Sequence, residues 1–136
     1  MSRLSKREYY LEIAKAVAKR STCVRRQYGA VIVKDDRIIA TGYNGSARGE
    51  VNCCDVGECW RETHGIPHGE QYEKCVAVHA EDNAISQAGR DAKGASLYLV
   101  GFENGKLIEA VPCVMCQRKI KNAGIFQVIR GMGESL

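Results

Sequence analysis

The sequence predicts an α/β fold, a mixed β-sheet with helices on its faces, in the order α-β-β-α-β-α-β and within a single domain, 1–136. Three observations predict it. An amphipathic stretch opens the chain, two short apolar runs flank a polar turn, and the second half alternates helical with strand-like periodicity. A chain of this length buries most of its apolar surface without disulfides or a second domain.

Residues Leu4 to Lys19 place Tyr10, Ile13, Ala14 and Val17 on one helical face, with Lys6, Arg7, Glu12, Lys15 and Lys19 mostly elsewhere, which gives the first helix. Ala30–Val33 and Arg37–Thr41 flank Lys34-Asp35-Asp36, a polar turn of hairpin length. Gly42-Tyr43-Asn44-Gly45 then reads as a loop leaving the second strand. From Ser46 to Lys74 the periodicity fails while Gly, Pro, Cys, His and charged residues accumulate, so the cysteine-rich insertion 46–75 needs some other source of order, such as a bound metal. Regular pattern resumes with a helix from about Ala80 to Ala88 ended by Gly89, then a strand at Ser96–Val100. A helix from about Val114 to Asn122, ended by Gly124, and a strand at Phe126–Ile129 complete the order. Strands separated by helices require some parallel pairing in the sheet. The chain ends soon after Gly131, so any further strand is expected to be short or absent.

Lys plus Arg exceed Asp plus Glu by 20 − 16 = 4. That mild excess suits an anionic small substrate and falls short of a nucleic-acid footprint. No stretch approaches the roughly 20 apolar residues needed to cross a bilayer. The start, Met1 to Arg7, lacks an apolar signal core, so a cytoplasmic location without membrane attachment is expected. In a reducing compartment, 7 cysteines point to metal ligands or buried thiols rather than disulfides.

The chemistry concentrates at two helix starts. His79-Ala80-Glu81 opens one predicted helix and Pro112-Cys113-Val114-Met115-Cys116 opens the other. A thiolate at a helix N-terminus is favoured by the positive end of the dipole and by free backbone N–H groups. Residues three apart lie nearly one turn apart, so both sulfurs reach one ion, and Pro112 suits the start of that helix. Two thiolates and one imidazole leave a tetrahedral zinc with an open fourth position, the mark of a catalytic site. Glu81, two residues from His79 and not needed as a ligand, is the candidate general base and acid. The ordered pair H-x-E and P-C-x-x-C, separated by residues 82–111, is the signature of zinc nucleobase deaminases.

With these motifs the chain resembles the cytidine deaminase superfamily, and more closely its deoxycytidylate (dCMP) deaminases. The resemblance extends over nearly the whole chain: Arg20–Cys23, Gly29–Val33, Thr41–Gly45, Val51–Asp55, His79–Ile85 and Asn122–Ile125 after the cysteine pair. Gly42-Tyr43-Asn44-Gly45 and the cysteine-rich insertion separate this family from plain cytidine and tRNA adenosine deaminases. The resemblance implies a mixed sheet of four to five strands flanked by helices, hydrolysis of dCMP to dUMP, and a homo-oligomer, hexamer or dimer. It also implies that Asn44 bonds the sugar or base and that the backbone at Ala80 holds the pyrimidine edge, with Arg25 or Arg26 taking the 5′-phosphate. Asn44 is alternatively a turn residue, and the arginines are alternatively a solvated basic face.

Some of these deaminases carry a second, structural zinc near the long insertion. Here Cys23, Cys53 and Cys75 fall where its ligands would lie, with Cys59 or His68 as the fourth. The alternative is a set of reduced cysteines in a loop. Tyr72 stands where many relatives place a histidine, which leaves the fourth ligand open. Residues 101–111 are a further departure, since family members have only a short connection there. Glu103 or Lys106 in it are candidates to touch ligand, although an extended surface hairpin is the simpler reading. Two rivals follow: a deaminase of another small amino-heterocycle or of a base in RNA, and a zinc-stabilised binding module without turnover. A polynucleotide substrate wants a basic groove and stacking platforms, which neither the charge nor the few aromatics supply.

Overall fold

The structure, a computed structural model, describes residues 2–52, 54, 57, 64–65 and 77–132. Helix α1 spans Lys6–Ala18 and starts at Ser5, whose hydroxyl accepts from the Glu8 N–H while Glu8 reaches back to the Ser5 backbone, a reciprocal cap. Strands β1 (Gln27–Lys34) and β2 (Arg37–Tyr43) form an antiparallel hairpin. Its turn residues Asp35 and Asp36 both take positive φ, the twist-matched geometry of a two-residue connection.

Two short strands, β3 (Gly45–Ser46) and β4 (Ala77–Val78), pair antiparallel. Helix α2 (Ala80–Ala88) runs into a 3₁₀ turn over Gly89–Ala92. Strand β5 (Ser96–Glu103) pairs with β6 (Lys106–Ile108), and helix α3 (Val114–Asn122) and strand β7 (Gln127–Arg130) follow.

The main sheet has five strands. Its path is β2-β1-β5-β6, with β7 beside β5. β5 lies against β1 from Ser96 to Phe102, while its other edge is shared, β7 parallel to its first half and β6 antiparallel to its last three residues. The sheet is therefore mixed. The fifth strand comes from the insertion at 101–111, which folds as a hairpin around Asn104-Gly105, both at positive φ. Gly101 does not end β5 as the sequence suggests; it lies under the Tyr28 ring, where a Cβ would collide.

Alternation along the strands separates two apolar layers. Val31, Val33, Tyr98, Val100 and Ile129 face α1, whose buried ridge is Tyr10, Ala14 and Ala18. That ridge lies one residue to the side of the face centred on Ile13 and Val17, both half-buried. Ala30, Ile32, Leu97, Leu99 and Val128 face Ala80, Ala84 and Ala88 of α2 and Ile120 of α3. Helices thus cover both faces. The loop expected at Gly42–Gly45 is corrected by these contacts: Gly42 and Tyr43 are the last residues of β2, and Gly45 begins β3. Gly42 belongs there because a Cβ would strike the Ala80 carbonyl and the Ala84 N–H, so α2 lies directly on the strand.

Candidate functional site

The last two strand residues before the site, Ala77 and Val78, are paired with Ser46 and Gly45, and this short ladder aims the chain into α2. His79 is the N-cap of α2, in extended conformation, and its side chain makes no cap bond, so the imidazole is directed elsewhere. It meets the second helix start. Cys113 is the N-cap of α3, its sulfur accepting from the Cys116 N–H at 3.4 Å. Gln117 folds back to bond the Pro112 carbonyl at 2.7 Å and steadies the approach to that cap. Lys119 of α3 pairs with Asp82 of α2 at 2.6 Å and holds the two helices together.

His79 Nδ1 lies 3.5 Å from Cys113 Sγ and 3.3 Å from Cys116 Sγ. Among the described residues these three form a group whose ligand atoms all lie within 4.8 Å of one another. A tetrahedral zinc, with bonds of about 2.3 Å to sulfur and about 2.0 Å to nitrogen, needs sulfur–nitrogen edges of about 3.5 Å. The donor set and its spacing fit that ion, with a fourth position left over.

Electrostatics support the same fit. Glu81, in the first turn of α2, is 5 % exposed. Burial pushes its carboxyl above the ordinary range, while its own backbone N–H and the Cys116 thiol pull the other way. Burial likewise pushes the Cys116 thiol up, reinforced by the nearby Glu81 and Cys113. These shifts favour the uncharged forms of Glu81 and Cys116, and a divalent ion beside them would reverse that balance. The positive ends of α2 and α3 converge here as well.

Ala80 is fully buried at the first position of α2, and the first intrahelical bond runs from Asn83 N–H to the His79 carbonyl. Its N–H therefore belongs to the helix end that has no intrahelical acceptor. Asn44 is 7 % exposed, and the next rung of the β3–β4 ladder would pair it with His79. Its Oδ1 accepts from the Tyr28 N–H and the Ser21 hydroxyl, each at 2.7 Å, and its Nδ2 donates to the Arg26 carbonyl at 2.9 Å. The amide thus spends both acceptor positions and one of its hydrogens on fastening the 21–28 segment beside the metal ligands. Arg26 pairs with Glu103 of the insertion at 3.2 Å, and Arg25 is half-buried on the same segment. Lys106 is exposed at the far side of the hairpin turn. Of the residues suggested for a second metal, Cys23 is half-buried, whereas Cys53, Cys59, His68 and Cys75 lie outside the described residues.

Sequence reading missed several side chains that shape the site. Asn83 Nδ2 bonds the Tyr43 carbonyl, Gln87 accepts from the Thr41 N–H, and together they fix α2 along the edge strand. Arg130, 6 % exposed, bonds Glu109 just before the Pro112 turn. None has a spacing signal; the Asn and Gln at helical positions facing β2 would emerge only from knowing which strand lies beneath.

The family model for the cytidine and deoxycytidylate deaminase zinc-binding region matches residues 4–132. The chain is 41% identical over 135 residues to the deoxycytidylate deaminase of Mycobacterium phage D29, covering 95% of this chain and 96% of that protein. It is 39% identical over 121 residues to the deoxycytidylate deaminase of Schizosaccharomyces pombe, covering 89% of this chain but 35% of that protein. The chain thus spans about a third of the length of its yeast relatives. The crystal structure of the dCMP deaminase from cyanophage S-TIM5 in complex with dCMP and dUMP superposes with a TM-score of 0.67 at 25% identity, over 96% of this chain and 83% of that one.

Proposed function

Because this chain belongs to the cytidine and deoxycytidylate deaminase family, we propose that it hydrolyses dCMP to dUMP and ammonia. The observation that carries this reading is the meeting of His79, Cys113 and Cys116 beside the buried carboxyl of Glu81. The three side chains would hold one zinc ion, which when bound supplies Lewis acidity and lowers the pKa of water. Glu81 takes a proton from the attacking water and delivers it to the ring nitrogen N3. Glu81 then takes the remaining proton from the hydroxyl formed on C4 and delivers it to the exocyclic amine, so the C4–N bond breaks, ammonia leaves and a C4 carbonyl remains. Backbone at Ala80 holds the pyrimidine edge, the remaining amide hydrogen of Asn44 reaches the sugar or base, and Arg26 or Arg25 takes the 5′-phosphate.

The test is ammonia release by the zinc-loaded protein with dCMP, dCTP, deoxycytidine, cytosine and guanine. Turnover of dCMP well above the others is expected. Turnover only of another heterocycle would move the substrate, and silence throughout would leave a zinc-stabilised binding module. The same reading makes 1–136 one catalytic domain acting in the cytoplasm as a homo-oligomer, hexamer or dimer. Among the described residues no helix is long and apolar enough to cross a membrane.

Cys23, Cys53 and Cys75, with Cys59 or His68, are proposed to bind a second, structural zinc that orders the 46–75 insertion. Metal analysis of the purified protein is expected to return two zinc ions per chain, and one ion would eliminate that second site.

A further inference from the structure

The insertion at 101–111 places a carboxylate where it bears on substrate choice. In the β1–β5 ladder Tyr28 pairs with Gly101 and Gln27 with Phe102, so the next rung is Arg26 opposite Glu103. Phe102 packs toward α1, as do Tyr98 and Val100. Alternation therefore turns Gly101 and Glu103 to the opposite face, the one covered by α2 and α3, where the metal ligands lie. Arg26 and Tyr28 share that face; Tyr28 packs with the apolar layer beneath α2, and its ring lies over Gly101. Arg26 Nε meets Glu103 Oε1 at 3.2 Å, with side chains 25% and 37% exposed. The Arg26 carbonyl is meanwhile bonded by Asn44, whose ladder neighbour would be His79.

The cross-strand pair ties the insertion to the arginine assigned above to the substrate phosphate. A 5′-phosphate arriving at Arg26 meets a fixed negative charge a few ångströms from its oxygens, in a half-buried setting where screening is incomplete. We propose that Glu103 is a specificity-determining residue: it competes with the substrate phosphate for Arg26 and narrows the preference for nucleotide over nucleoside. The inference rests on the deaminase reading above and on Arg26 as the phosphate partner.

Steady-state kinetics of the wild type and Glu103→Gln, on dCMP and deoxycytidine at low and high salt, test it. Glutamine keeps the length and an acceptor for Arg26 while removing the charge. The ratio of kcat/KM for dCMP to that for deoxycytidine is expected to rise about five- to tenfold in the variant, through KM for dCMP, and the gain is expected to shrink at 0.5 M salt. An unchanged ratio, or equal changes on both substrates, overturns the inference while leaving the deaminase reading intact. Wild-type protein that releases no ammonia from either substrate overturns both. Calorimetric binding of dUMP and deoxyuridine to the zinc-loaded proteins gives a readout independent of turnover. There, tighter dUMP binding in Glu103→Gln with deoxyuridine unaffected is the expected result, and equal affinities in the two proteins the contrary one.

Discussion

Replacing Glu81 by glutamine is expected to leave zinc bound and to lower turnover by at least about a hundredfold, because positioned acid–base catalysis is typically worth about 10²–10⁴. Glutamine matches the glutamate in size and fits the same buried position in the first turn of α2. It can hydrogen-bond Cys116, but it cannot accept a proton from water and return it to N3. Metal analysis alongside ammonia release separates this from collapse of the site. Full zinc content with lost turnover is the expected pair, and activity near wild type would remove Glu81 from proton transfer.

Cys116→Ser is expected to abolish both zinc retention at the helix junction and turnover. Cys116 is 2 % exposed and packs into the start of α3, so its sulfur cannot be replaced by a neighbour or by solvent without moving the helix. A serine hydroxyl stays protonated at neutral pH and is a poor zinc ligand beside a thiolate and an imidazole. The variant should therefore behave as wild type that lacks the ion at this site. An ion held at about 1,000 times its dissociation constant contributes about 4 kcal/mol to the folded state. For a chain of this size that amounts to about 10 °C in Tm from the ion at this site, so the zinc-induced rise is expected to be smaller by about that much in the variant than in the wild type. An equal zinc-induced shift in both proteins would show that Cys116 is not a ligand.

The features most legible in the sequence were those set by local chemistry. His79, Cys113 and Cys116, which the structure brings together, stood out because metal ligation demands particular residue types at particular spacings near helix starts. The bounds of α2 and α3 were legible for a similar reason, since Gly89 and Gly124 punctuate an apolar period. What escaped depended on partners distant in sequence. Gly42 and Gly101 look like breakers, yet each continues a strand because another element packs against the bare Cα. Asn44 reads as a ligand to sugar or base or as a turn residue, and the fold adds a third task, a clamp on the 21–28 segment. Glu103 and Glu109 lie in what reads most simply as a surface hairpin, and only the fold shows that each meets an arginine, Arg26 and Arg130.

The central claim is that one ion held by His79, Cys113 and Cys116 works with Glu81 on the substrate. Ammonia release from dCMP, followed as zinc is stripped by a chelator and then returned, tests it most directly. Turnover should fall to background in the stripped protein and recover as zinc is restored; undiminished turnover by protein shown to be metal-free would contradict it.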